Sequence, residues 1–128
     1  MKLDIEIYLP APSNEFGRLV GLLSRGFSIS TMQNGGKSIR TDKSEVEGKL
    51  LSVAIKEFLE SCSSLESRFK SEKIVLRVGI FFQVDEIAFL SIVLPESELE
   101  LLNRFKLGLD ISVYPCSSDD EEDEIHGI

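Results

Sequence analysis

Residues 73–94 read KIVLRVGIFFQVDEIAFLSIVL, two β-rich runs on either side of Gln83, Val84 and Asp85. Short apolar, β-branched runs joined by a three-residue connection are the pattern of an antiparallel hairpin. Apolar residues fall on both faces of each run, so both strands are expected in the middle of a sheet rather than at its margin.

Working outward, Leu3, Ile5, Ile7 and Leu9 alternate with Asp4, Glu6 and Tyr8. That period of two is a strand with one buried and one wet face, stopped by Pro10 and Pro12. Phe27, Ile29 and Thr31 alternate again, and Asn34-Gly35-Gly36 supplies residues that tolerate positive φ, so a second hairpin is expected to return from Lys37 to Thr41. Gly35-Gly36-Lys37-Ser38 superficially resembles a phosphate loop, but Ser30 stands where its first glycine belongs and no helix pattern follows, which favours the turn. Near the other end, Leu109, Ile111 and Val113 alternate with Asp110, Ser112 and Tyr114 in a last strand that Pro115 closes.

Helical spacing appears three times. Ser13 can cap a helix carrying Phe16, Leu19, Val20 and Leu23. Ser44-Glu45-Val46-Glu47 has the reciprocal capping-box pattern ahead of Leu50, Leu51, Val53, Ala54, Ile55, Phe58 and Leu59. With Val46, these fill roughly two thirds of the helix circumference and predict heavy burial. Pro95 suits the first turn of a helix with Leu99, Leu102 and Phe105 inward, Glu96, Glu100 and Asn103 outward, and Gly108 at its end. The serine-rich stretch 61–71 is a short helix or a loop. The fold expected is α+β: residues 1–115 form one domain, a single antiparallel or mixed sheet of five or six strands with two main helices, from Ser44 and Pro95, packed on it.

The net charge is −8, but six acids form the unbroken run Asp119, Asp120, Glu121, Glu122, Asp123 and Glu124, and without them 16 acids face 14 bases. Residues 116–128 are therefore expected to be an acidic, disordered tail. A balanced body with an acidic tail argues against nucleic-acid binding, which needs a basic stripe to displace counterions. The amino terminus lacks signal-peptide organisation and the longest apolar runs are four residues, so no membrane association is expected. Cys62 and Cys116 match no metal-ligand spacing and read as reduced thiols of a cytoplasmic protein.

Chemistry-bearing residues are sparse. The single histidine, His126, lies in the tail, and neither cysteine has basic neighbours to lower its pKa. The close carboxylate pairs Asp4/Glu6 and Asp85/Glu86 fit a wet strand face and a turn. No catalytic, metal or cofactor site is expected, and the chain reads as a binding module rather than an enzyme. Its candidate contact residues are Asp119 to Glu124, whose field would steer a basic partner, and the exposed helix stripe of Glu96 and Glu100.

Taken in order, SEVEGKLLSVAIKEFLE, the run 73–94, PESELELLNRF and the ending LGLDISVYP resemble a widespread bacterial domain family of unknown function, some of whose members are immunity proteins encoded beside polymorphic or contact-dependent toxins. The resemblance spans residues 3–115 and is specific from Ser44 onward. Members often carry a tryptophan and a lysine-glycine pair in the amino-terminal half; this chain has no tryptophan and only Gly35-Gly36-Lys37. The resemblance implies stoichiometric neutralisation of a cognate toxin with a basic surface, such as a nuclease, and brings no catalytic residues with it. Two rival expectations are a small-molecule-binding or regulatory domain with a pocket between sheet and helix, and an enzyme working through paired carboxylates.

Overall fold

The computed structural model of the chain describes residues 1–10, 26–66, 73–85 and 90–117. Among these residues it is an α+β fold with a mixed six-stranded sheet and two helices, as expected. The strands are β1 (Lys2–Leu9), β2 (Ser28–Thr31), β3 (Lys37–Arg40), β4 (Glu45–Glu47), β5 (Val75–Gln83) and β6 (Gly108–Cys116); the helices are α1 (Leu51–Ser61) and α2 (Glu96–Phe105). The strand order is β2-β3-β1-β5-β6, with β4 also on β1.

The alternation in β1 is realised in full: Leu3, Ile5, Ile7 and Leu9 are completely buried, and Asp4, Glu6 and Tyr8 between them are half-buried. The Asn34-Gly35-Gly36 hairpin also forms, with β2 and β3 antiparallel from Ser28↔Arg40 to Thr31↔Lys37. Gly35 takes the positive φ of the turn, 87°. Gly36 is needed for a different reason: a Cβ there would stand 2.6 Å from the Tyr8 hydroxyl. The Asn34 side chain ties the corner together, donating to Tyr8 Oη at 2.8 Å and accepting from Gly36 N–H at 2.9 Å.

The expected helix start at Ser44 is corrected. Glu45–Glu47 form β4, antiparallel to Lys2–Asp4, because β3 covers only the Ile7–Leu9 half of that edge of β1 and leaves the other half in need of partners. Ser44 closes the preceding turn, its Oγ accepting from Thr41 N–H at 3.0 Å, while its carbonyl accepts from Ile5 N–H at 2.8 Å. Gly48, at φ 71°, turns the chain toward α1. A strand edge offering several backbone bonds outweighs one local capping box.

Burial of α1 is narrower than expected. Leu51, Ala54, Ile55, Phe58 and Leu59 follow i, i+3, i+4, i+7, i+8 and face the sheet, whereas Leu50 and Val53 are exposed. A 3₁₀ turn, Ser63–Leu65, follows. The helix expected after Ser13 and the second half of the serine-rich stretch lie outside the described residues.

β5 is central, as its apolar faces predict, but the hairpin with residues 86–94 is corrected. Both edges of β5 are occupied, by β1 antiparallel from Lys2↔Phe81 to Tyr8↔Val75 and by β6 in parallel from Val75↔Gly108 to Gln83↔Cys116. Leu90–Leu94 are not strand, and residues 86–89 lie outside the described set. A parallel neighbour requires a long crossover, which residues 84–107 provide through α2.

In α2, Leu102 and Phe105 are buried as expected, but Leu99 is 50% exposed and Glu98, only 6% exposed, is turned inward instead, accepting from Ser97 Oγ at 2.6 Å. The helix ends at Lys106, not Gly108: Lys106 is left-handed (φ 58°), and Leu107 N–H reaches Leu102 O at 3.0 Å in a Schellman closure. Gly108 is already strand, and β6 runs through Pro115 to Cys116.

Both helices pack on the sheet face that carries Leu3, Ile5 and Ile7 of β1, Ile39 of β3 and Leu76, Val78 and Ile80 of β5, forming one core with Phe27, Cys62, Leu65, Ile74 and Leu107. Among the described residues no helix is long and apolar enough to cross a membrane.

Candidate functional site

The alternate residues of the same strands form the other face of the sheet. Register fixes their arrangement. Glu6 lies opposite Arg77, which lies opposite Asp110; Asp4 lies opposite Gly79, which lies opposite Ser112; Lys2 lies opposite Phe81, which lies opposite Tyr114. On the far side of β1, Arg40 of β3 reaches into the first two rows. The result is an ordered surface: a row of alternating charge (Arg40, Glu6, Arg77, Asp110), a row with a glycine at its middle, and a row ending in two aromatic rings.

Arg40 organises the charged part. Its guanidinium contacts Asp4 Oδ1 at 2.6 Å, Glu45 Oε1 at 3.5 Å and Glu6 Oε2 at 3.6 Å. Burial opposes the charge of Arg40, but the bond to Asp4 and the fields of Asp4, Glu6 and Glu45 outweigh it and raise its pKa above the ordinary guanidinium value. Glu6 accepts in addition from Ser38 Oγ at 2.5 Å and faces Arg77 Nε at 3.7 Å. Arg77 in turn lies over the Tyr8 ring, 4.7 Å from its centroid, a cation–π contact. The Asp4/Glu6 pair is thus held as a fixed charge array on a strand face, as its spacing predicts, with Arg40 between the two carboxylates.

The aromatic part depends on Gly79. Phe81 and Tyr114 stack with centroids 4.7 Å apart and 15° between planes. Both rings lean toward Gly79: a Cβ at that position would be 3.2 Å from Phe81 Cε2 and 3.4 Å from Tyr114 Cε2. Between the rings and the charged row lies a hollow of about 120 Å³ lined by Asp4, Glu6, Arg77, Phe81, Asp110 and Tyr114. This is well below the roughly 300–1,000 Å³ of small-ligand pockets. A second, wider cleft of about 660 Å³ opens at the strand ends, between Met1, Lys2, Glu47, Phe82, Gln83 and Cys116.

The candidate contact residues read from the sequence do not meet here. Glu96 and Glu100 are exposed on α2, in the helical layer on the opposite side of the sheet. Glu96 also stands in the first turn of α2, where a negative charge favours the helix dipole. Asp119 to Glu124 lie outside the described residues, as does His126. Cys62 is fully buried, and burial, only partly offset by the hydrogen bond with Ser61, pushes its thiol up to about 12, leaving it without thiolate character at neutral pH. Among the described residues no group of three or more His, Cys, Asp or Glu is placed to hold a metal ion.

Sequence reading missed Arg40, Arg77, Phe81 and Tyr114. A usable signal was present: in β5, Leu76, Val78 and Ile80 are uniformly aliphatic, whereas the interleaved Arg77, Gly79 and Phe81 are mixed. A strand buried on both faces has no reason to carry an arginine and a glycine on one of them. Comparison of the chain with family models, with curated proteins and with solved structures finds no match.

Proposed function

We propose that this chain is a stoichiometric binding protein of the immunity type, which neutralises a cognate toxin by covering its active site or substrate groove, and that the open face of the sheet is its contact surface. The observation that carries this reading is the joint placement of Tyr8, Arg77, Phe81 and Tyr114 on that face, each partly exposed and each fixed by stacking or cation–π contact. Tyrosine, arginine and large aromatic residues dominate binding hot spots because they bring much contact area at low entropic cost. Rigid strands and an internal charge network hold them in place before the partner arrives, which reduces the ordering cost of association.

Charge supports the class of partner. Asp4, Glu6, Glu45, Glu47 and Asp110 surround Lys2, Arg40 and Arg77 on the sheet surface, and the whole chain carries −8. An acidic binder suits a toxin with a basic surface, such as a nuclease, and gains association rate from the attraction. The small-molecule reading draws on the wider cleft at the strand ends, whose about 660 Å³ lies in the size range of ligand sites. In the described sheet–helix layer, where such a pocket was expected, Leu3, Ile5, Ile55 and Phe58 are fully buried.

The test is co-purification and calorimetry with the product of the adjacent gene at low and high salt. A one-to-one complex that weakens as salt rises supports the reading. No complex at either salt, with no protection from that product, removes it and moves attention to ligands of the strand-end cleft.

A further inference from the structure

β6 is an edge strand of nine residues, and among the described residues it pairs with β5 alone. Which of its backbone groups face outward follows from two hydrogen bonds at its ends. Gly108 N–H donates to Ile74 O at 3.0 Å, and Cys116 O accepts from Val84 N–H at 2.9 Å, so both even-numbered ends point toward β5. In a strand the N–H and C=O of one residue point to the same side and successive residues alternate. Leu109, Ile111, Val113 and Pro115 therefore direct their backbone groups away from the sheet. This explains how a proline is tolerated inside β6: its missing N–H lies on the outer side, where no ladder bond among the described residues is lost.

We infer that the outer edge of β6 pairs with the same edge of a second copy of this chain, antiparallel and two-fold symmetric about Ile111. Antiparallel pairing needs outward-facing residues opposite one another, which restricts the register to odd against odd. Centred on Ile111, the two Ile111 residues exchange both of their hydrogen bonds, and each Leu109 does so with Val113 of the second copy, giving six bonds and using every outward N–H from Leu109 to Val113. Pro115, with no N–H to give, falls opposite Leu107 and ends the ladder on each side. Centring the axis one residue further on would set Leu109 against Pro115 and leave both Leu109 carbonyls without a donor.

The side chains fit the same register. On the helix side Ile111 meets Ile111 and Leu109 meets Val113, which is 41% exposed in one copy and would gain cover. On the open side Tyr114, stacked inward on Phe81, falls across from Gly108 of the second copy, which has no side chain to crowd the junction. Asp110 falls across from Ser112, an acceptor facing a donor, with the two Asp110 side chains kept diagonal to each other. The two open faces become one continuous surface across the junction, so a partner bound to one copy leaves the edge of that copy accessible or already paired. The pairing stands independently of what the open face binds.

The experiment uses the full chain and two readouts. Sedimentation over about 10 µM to 1 mM, the regime in which an interface below about 1,200 Å² associates, is expected to show a monomer–dimer equilibrium. Amide hydrogen exchange over the same range is expected to show parity: protection at Leu109, Ile111 and Val113 rises at least about tenfold with concentration, while Asp110, Ser112 and Tyr114, already bonded to β5, change little. Val113→Pro removes an N–H that makes no bond among the described residues, and it is expected to abolish the dimer. If that variant fails to fold, the exchange pattern of the unaltered chain still decides. A chain monomeric at 1 mM, a dimer without the odd–even pattern, or a folded Val113→Pro protein that still dimerises overturns the inference; pairing seen only with the toxin would assign the edge to a foreign strand instead.

Discussion

The two faces of the sheet are made from alternate residues of the same strands, yet they follow opposite rules. On the helix face, Leu3, Ile5, Ile7, Leu76, Val78 and Ile80 are interchangeable in chemistry and almost entirely removed from water. On the open face, Asp4, Glu6, Tyr8, Arg77, Gly79 and Phe81 differ at every step, and each has a particular neighbour that accounts for it. The first face holds the fold together through area; the second is specified by pairwise contacts that contribute modestly to stability and leave polar and aromatic groups on display.

That contrast predicts a graded set of responses. Phe58→Ala, where α1 packs into the core on the covered face, is expected to destabilise the chain by about 3–5 kcal/mol in urea or thermal unfolding, since it leaves a cavity in a packed layer. Arg40→Met should cost less, about 1–3 kcal/mol, because Asp4 and Glu6 lose their shared cation; adding Asp4→Asn should restore part of it, a coupling that a double-mutant cycle reads directly. Gly79→Val is expected to cost about 1–3 kcal/mol by pushing Phe81 and Tyr114 aside, with loss of their near-ultraviolet dichroism as the accompanying sign.

Cys62 gives the comparison a pH dependence. Its folded pKa of about 12 stands above the roughly 8.5 of a free thiol, so the unfolded chain releases this proton first. The folded state then holds more protons than the unfolded state between those values, and stability falls as pH rises, by about 1.4 kcal/mol per unit for this group. Unfolding measured from pH 7 to 10 should show the extra slope above about pH 8.5 in the unaltered chain and lose it in Cys62→Ala. In thiol labelling of the native chain, Cys116 should react at once and Cys62 only on unfolding. The smallest expected effect is Tyr114→Ala, about 0.5–1.5 kcal/mol, the loss of one stacked pair at the sheet margin.

The same contrast explains what could be read from the residues alone. Strand β1 and the β2–β3 hairpin were legible because one-sided alternation and Asn34-Gly35-Gly36 act locally. The capping-box signal at Ser44 was also real, but a non-local claim on the same residues, the open half-edge of β1, decided their state. In the run 73–94, apolar content identified β5 as central without saying whether its second neighbour was the next segment or the more distant β6, because parallel and antiparallel neighbours bury a strand equally well. The open-face site was the least legible part. Arg40, Glu6, Arg77 and Asp110 are separated by up to about a hundred positions in the chain, and only the register makes them one row. The acids of α2 were conspicuous in sequence because they are exposed, and exposure alone did not bring them to that row.

The central claim, that the open face of the sheet is the contact surface, is tested most directly by titrating the adjacent gene product with two sets of variants. Arg77→Ala and Tyr114→Ala alter the open face; Glu96→Gln and Glu100→Gln alter the helical layer. The open-face pair is predicted to weaken binding at least about thirtyfold each, the loss of a hot-spot side chain, with the helix pair within about threefold of the unaltered chain. Binding that survives both open-face substitutions but collapses with Glu96→Gln and Glu100→Gln would contradict the claim and move the contact surface to the other side of the sheet.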